Sequence, residues 1–172
     1  MLKSIKLNQS SFSRRGFVTL SLLAATVIAS GCAIQPTAKP PKILFVCQAG
    51  TAKSAIAREL FKKRAKERGV VIDVFSRGIE IKDHLSPELQ LKLRDDRIDT
   101  KAEPALPLEP RDWAAADIII NFNPLPASVQ HKDVRDWTDV PSVNDDYANA
   151  RLIMDQRIDA LLTEIAHKNG GL

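Results

Sequence analysis

The residues in this chain best suited to chemistry lie between Ile43 and Glu59, in the run Ile43-Leu44-Phe45-Val46-Cys47-Gln48-Ala49-Gly50-Thr51-Ala52-Lys53-Ser54-Ala55-Ile56-Ala57-Arg58-Glu59. A thiol follows a short apolar run, and small residues, a lysine and a serine follow the thiol. Small side chains at Ala49, Gly50 and Ala52 let successive backbone N–H groups turn toward one point. A helix opening at Ser54 adds its positive end, so the segment predicts an oxyanion site of the phosphate type. The same field stabilises negative charge on the Cys47 sulfur. Nucleophile and anion site therefore coincide.

Cysteine usage sharpens this reading. The only other cysteine is Cys32, which the N-terminal pattern assigns to a lipid, so Cys47 has no partner for an internal disulfide. The three histidines, His84, His131 and His167, are scattered without metal-ligand spacing and read as exposed or core-satisfied side chains. No metal and no cofactor is expected. Arg77 reads as a loop arginine, solvated rather than lending its charge to the pocket, and Trp113, Trp137 and Tyr147 as packing residues.

The elements that must position Cys47 are legible from periodicity. Lys42–Val46 is fit for a buried strand, and Ser54–Arg68 reads as a helix stopped at Gly69, with Ile56, Leu60 and Phe61 on its apolar side. Val70–Phe75 reads as a second strand. Ser86-Pro87-Glu88 is a helix start with a capping serine and a proline in the first turn, and that helix runs to about Arg97. Residues 99–112 form a proline-containing loop before a brief helix near Arg111–Ala116, and Asp117–Phe122 is a third strand. The last helix spans about Asp146 to His167, with Leu152, Ile153, Ile158, Leu161, Leu162 and Ile165 as its buried positions. Strands separated by helices imply a parallel sheet covered on both faces, and such sheets bind ligands beyond the carboxyl ends of their strands. Cys47 stands at one such end.

Residues 1–31 read as a signal peptide: Lys3, Lys6, Arg14 and Arg15 with no acid, then an apolar run from Phe17 to Ile28 and the exit Ala29-Ser30-Gly31-Cys32. The run is shorter than the roughly 20 residues of a membrane-spanning helix. Ser13-Arg14-Arg15-Gly16-Phe17 resembles the twin-arginine consensus, and Ala-Ser-Gly-Cys resembles a bacterial lipobox. The expectation is an exported lipoprotein on the periplasmic side of a bacterial membrane, anchored through lipidated Cys32. Ala33 after that cysteine leans toward the outer membrane by resemblance to known lipoproteins. Residues 32–41 then form the anchor and a proline-rich linker, and 42–172 the folded domain. Removing the four basic residues of the signal leaves 21 Lys and Arg against 21 Asp and Glu. A neutral mature domain lacks the basic footprint of a nucleic-acid binder, and that class is set aside.

With these residues in view, the sequence resembles the low-molecular-weight protein tyrosine phosphatase and arsenate reductase family, whose loop is Cys-x5-Arg-Ser between the first strand and first helix. The likeness runs over about residues 42–167 and includes Val74-Phe75-Ser76-Arg77-Gly78, similar to the family's Ser-Ala-Gly, and the strand Ala116-Asp117-Ile118-Ile119-Ile120. The resemblance implies an α/β three-layer sandwich with a central parallel four-stranded sheet. It implies a phosphomonoester hydrolase in which Cys47 attacks phosphorus to give a cysteinyl-phosphate that water then hydrolyses. Gln48, Ala49, Gly50, Thr51 and Ala52 would hold the phosphate with Ser54, which matches the serine that hydrogen-bonds the thiolate. Phosphotyrosine protein or a small aryl phosphate is the implied substrate.

The sequence departs from that family at three points. Lys53 stands where the family has arginine, keeping the charge but losing the planar fork; the loss of bidentate contacts corresponds to about 2–4 kcal/mol of transition-state stabilisation. Ala49-Gly50 replaces a pair whose side chain braces the loop. The family's acid is an Asp followed by Pro before the last helix, and Asp139 falls nearest to that place, with Asp136, Asp145 and Asp146 as alternatives. These departures keep a second reading open, a non-catalytic oxyanion-binding or interaction module of the same fold. Arsenate reduction ranks third, because an internal thiol relay needs cysteines this chain lacks.

Overall fold

The computed structural model describes residues 39–169. The expected signal peptide, the expected lipid-attachment site at Cys32 and most of the expected linker lie outside the described residues. Eight elements follow in chain order: β1 (Lys42–Cys47), α1 (Lys53–Glu67), β2 (Asp73–Gly78), α2 (Pro87–Asp95), α3 (Pro110–Ala115), β3 (Ile118–Asn121), β4 (Val134–Asp136) and α4 (Tyr147–Asn169).

The sheet has four strands in the order β2-β1-β3-β4, and every pairing is parallel. With β2 on one side and β3 on the other, β1 is covered above and below, which is why Ile43 to Cys47 are all buried with no polar alternation. Its side chains alternate between two apolar layers. Ile43, Phe45 and Cys47 face a large core that includes Ile56, Leu60 and Phe61 of α1, Leu89 and Leu93 of α2, and Ile158, Leu162 and Ile165 of α4. Leu44 and Val46 face a smaller one built with Ala116 and Ile119, against which Phe75, Leu108 and Trp113 pack. This is the three-layer α/β sandwich with a central parallel sheet of four strands.

Aromatic packing locks the large layer beneath the end of β1. The Phe45 ring lies 5.7 Å from Phe61, 6.3 Å from Phe122 and 5.9 Å from Trp137 between centroids, distances at which ring pairs attract beyond their area burial. Ion pairs fasten α4 across the outside of α1: Arg64 reaches Asp155 and Asp159, and Arg68 reaches Asp159. At its start, α4 is tied to the end of α2 through Tyr147, whose hydroxyl donates to Asp96 at 2.5 Å, and through the Arg151–Asp96 pair.

Three sequence expectations shift. The second strand starts at Asp73 rather than Val70, because Val70 N–H closes the end of α1 onto Ala65 O and the ladder opens only where Asp73 meets Lys42. Leu152, expected inside, is 56 % exposed, since α4 turns that position outward while Met154 and Ile158 point in. Arg77 is not a solvated loop residue: it lies in β2, pairs with Asp112 at 2.9 Å and stacks over Phe75 at 5.0 Å.

Candidate active site

The sheet delivers Cys47 to the carboxyl end of β1, where the chain must turn sharply before α1 begins at Lys53. The turn is held from outside. Cys47 O accepts from Ile79 N–H at 3.0 Å, Gln48 O from Glu80 N–H at 2.8 Å and Ala49 O from Lys82 N–H at 3.2 Å. With its carbonyls engaged by the segment after β2, the loop turns amides inward. Gly50 N–H donates to Cys47 Sγ at 3.2 Å. Among the described residues, the amides of Ala49, Thr51 and Ala52, and of Lys53 and Ser54 in the first turn of α1, donate to no protein acceptor. Ala52 caps α1 without a side-chain hydrogen bond, and no acid occupies the first turn. The result is a nest of free donors at a helix N-terminus, with the thiol at its centre.

Gly50 and Gly78 explain how the loop fits. Gly50 has φ +74°, a left-handed conformation that glycine adopts without steric cost. A Cβ there would sit 2.8 Å from Ile81 Cδ1 and 3.0 Å from the Gly78 backbone; one at Gly78 would come within 2.8 Å of the Gly50 backbone. The two glycines pack backbone against backbone, so the end of β2 forms the floor of the anion loop.

The Cys47 side chain is 3 % exposed and its sulfur lies 3.1 Å from Ser54 Oγ. The single hydroxyl hydrogen of Ser54 has two acceptors in reach, that sulfur and Arg77 O at 3.4 Å. Donation to the sulfur, together with the Gly50 amide, gives a thiolate two hydrogen bonds.

A cleft of about 380 Å³ opens over the thiol, lined by Gln48, Ala49 and Ala52 from the loop and by Lys53, Lys82, His84, Asn123, Ser142, Val143 and Asn144 around it. Cys47, Gln48, Ala49, Ala52 and Lys53 thus come together on this wall, while Gly50, Thr51 and Ser54 complete the loop behind it. Lys53 is turned partly away from the anion nest. Its ammonium donates to Val140 O at 3.0 Å and Phe122 O at 3.5 Å. Burial lowers its pKa, opposed by the negative charges of Cys47 and Asp139.

Asp139 is not among the residues that line the cleft, but its charge acts on Lys53, which is. Its carboxylate is exposed and gripped in a fork by Arg157, with contacts of 2.8 and 2.5 Å. The hydrogen bonds from Arg157 hold its pKa below the usual carboxylate value, which favours the ionised form. Of the alternatives, Asp136 accepts from Thr138 N–H, Asp146 accepts from Asn149 N–H at the start of α4, and Asp145 is exposed.

Sequence reasoning missed the residues that frame the opposite walls. Asn123 Oδ1 accepts from Gln48 N–H at 2.9 Å, and Asn144 bridges two loops by donating to His84 O at 2.8 Å and accepting from Ser86 N–H at 2.9 Å. Nothing in local periodicity marks an asparagine whose partner is 60 or 75 residues away.

The site is thus a buried thiol at the carboxyl end of a central parallel strand, beside the amides of a tight loop and the N-terminus of α1. Residues 42–132 match the low molecular weight phosphotyrosine protein phosphatase family, and the chain belongs to that family. No curated protein matches the chain. Among solved structures, the chain is similar to YfkJ from Bacillus subtilis, with 18% identity, 77% of this chain and 99% of that chain covered, and a TM-score of 0.66. It is also similar to a low molecular weight protein tyrosine phosphatase from Streptococcus pyogenes, with 18% identity, 72% and 92% coverage and a TM-score of 0.60. A third is an arsenate reductase in the phosphate binding state, with 21% identity, 73% and 98% coverage and a TM-score of 0.57.

Proposed function

We propose that the protein is a phosphomonoester hydrolase working through a cysteinyl-phosphate. The observation that carries this reading is the Cys47 sulfur within 3.2 Å of Gly50 N and 3.1 Å of Ser54 Oγ, at the centre of an amide nest that no protein acceptor among the described residues fills. In that nest three phosphate oxygens take the loop amides and the α1 N-terminus while phosphorus stands over Sγ. Attack forms the S–P bond as the ester P–O bond breaks; water then breaks the S–P bond and releases phosphate. Lys53 adds positive charge at the rim rather than a two-pronged grip. The arsenate reductase in its phosphate binding state supports oxyanion binding on this fold.

The N-terminal pattern supports a place for this chemistry: an exported protein held at the periplasmic face of a bacterial membrane by lipid on Cys32. Phosphotyrosine protein or a small aryl phosphate is the proposed substrate class. The rival reading, an oxyanion-binding module without turnover, is favoured by one observation: among the described residues, no carboxylate lines the cleft.

Hydrolysis of p-nitrophenyl phosphate under reducing conditions separates the two. The hydrolase predicts turnover that inorganic phosphate inhibits competitively and that Cys47→Ser abolishes. No turnover in the wild type, with phosphate bound equally by both proteins, overturns the hydrolase and leaves the binding module.

A further inference from the structure

Breaking a phosphoester requires a proton for the leaving oxygen unless that oxygen is already a stable anion. Among the described residues, no Asp or Glu lines this cleft. Each nearby carboxylate with an assigned contact is used elsewhere: Asp139 by Arg157, Asp136 by the Thr138 amide, Asp146 by the Asn149 amide, Asp83 by the Leu85 amide and Glu80 by Lys82. The side chains on the wall able to carry a transferable proton, Cys47 aside, are Lys53, Lys82 and His84. Lys53 is committed to the carbonyls of Val140 and Phe122, and Lys82 to Glu80.

His84 differs from both. Its backbone is fixed on two sides, the N–H donating to Thr51 Oγ1 at 3.3 Å and the carbonyl accepting from Asn144 Nδ2 at 2.8 Å. Thr51 belongs to the anion loop and also donates to Lys82 O at 2.7 Å. The loop that holds the nucleophile thus sets the position of residues 82–84 directly. Among the described residues, the His84 imidazole itself forms no hydrogen bond or ion pair, and His84 is an exposed residue that lines the cleft.

We infer that His84 is the proton donor to the leaving group, a catalytic imidazole in a cleft without a catalytic carboxylate. The inference rests on the hydrolase reading above. In the first step the imidazolium passes its proton to the ester oxygen as the P–O bond breaks and the Sγ–P bond forms. In the second the neutral imidazole takes a proton from water as its oxygen bonds phosphorus, and the S–P bond breaks to return thiolate and phosphate. Thr51 and Asn144 are positioning residues for this group.

Leaving-group dependence tests the assignment. Purified full-length protein, His84→Gln, Asp139→Asn and Cys47→Ser are compared by kcat/KM on p-nitrophenyl phosphate, whose leaving group needs little protonation, and on phenyl phosphate, whose leaving group needs it. Thermal melts confirm that each variant is folded. His84→Gln is expected to lose roughly 10²-fold or more on phenyl phosphate, the ordinary range for a positioned acid, and less than about fivefold on p-nitrophenyl phosphate. Equal losses on the two substrates, or no loss, overturn the role of His84 while wild-type turnover that depends on Cys47 keeps the hydrolase reading. A selective loss in Asp139→Asn instead assigns the proton to Asp139 and also overturns it. Absence of wild-type turnover on both substrates overturns the hydrolase and this assignment together.

Discussion

The N-termini of α1 and α2 are built in opposite ways. Ser86 caps α2 by accepting from Leu89 N–H at 3.1 Å, Pro87 occupies the first turn without an amide to satisfy, and Glu88 complements the dipole. α1 has none of these: its cap is Ala52, its first turn carries no acid, and its leading amides have no protein acceptor among the described residues. A helix end that satisfies itself contributes stability and can do nothing else. One left open contributes less to the fold and presents its donors and partial positive charge to whatever anion enters. The short helix α3 follows the α2 pattern, with Glu109 and Asp112 closing a reciprocal capping box. Of the three helix starts compared, the uncapped one is the one beside the thiol.

The comparison is broken most severely by giving α1 the cap it lacks. Ala52→Asp places a carboxylate where it accepts the amides of the first turn and repels any anion approaching Cys47. Hydrogen bonds to a charged acceptor contribute about 1.5–3 kcal/mol each, so losing two of them corresponds to roughly a hundredfold or more in phosphate affinity. Titration calorimetry with inorganic phosphate is expected to show binding lost in Ala52→Asp and weakened to a smaller degree in Ala52→Asn, which occupies the donors without the charge. Unchanged affinity in both would mean that the α1 terminus is not the anion site.

A second substitution asks how far the loop, as distinct from the helix end, makes α1 different. Gly50→Ala meets Ile81 Cδ1 at 2.8 Å and the Gly78 backbone at 3.0 Å, in a conformation with φ +74°. The side chain of Ile81 can move, but the backbone of β2 cannot, and the left-handed φ adds strain of order 1–3 kcal/mol. A fall in stability of about 2–4 kcal/mol by denaturant unfolding is expected, together with loss of phosphate binding. Ile81→Ala in the same chain should recover little of it, because the contact with Gly78 and the strained φ remain.

These positions also show what the sequence made legible and what it did not. The apolar run before Cys47 and the small residues after it were sufficient to read strand, anion loop and helix, because their geometry depends on neighbours in the chain. The last helix was placed to within about two residues, and Ser86 was read as a cap from its own local pattern. By contrast β4, three residues long with a part-exposed pattern, carries almost no periodic signal, and only the resemblance implied a fourth strand. The walls of the cleft were harder still. His84, Asn123 and Asn144 reach the cleft through partners that the sheet topology brings together, and the spacing that points to Asp139, counted back from α4, carries no information on its pairing with Arg157. Local order is written in spacing, whereas the contents of a cleft between crossover loops are decided by register and strand order.

The smallest expected effect tests the other half of the comparison. If α2 is a scaffold helix whose cap serves stability alone, Ser86→Ala removes the acceptor for Leu89 N–H and leaves that amide to solvent or to a longer bond. Such replacements cost about 0.5–2 kcal/mol. The link from Asn144 is made to the Ser86 amide rather than its hydroxyl, so the bridge to His84 survives the change. Denaturant unfolding should therefore show a loss near 1 kcal/mol, while phosphate affinity and turnover stay at the wild-type level. A parallel loss of affinity would show that the α2 cap also holds the cleft wall in place, and that the division between a self-satisfied scaffold helix and an open one is not as sharp as their termini suggest.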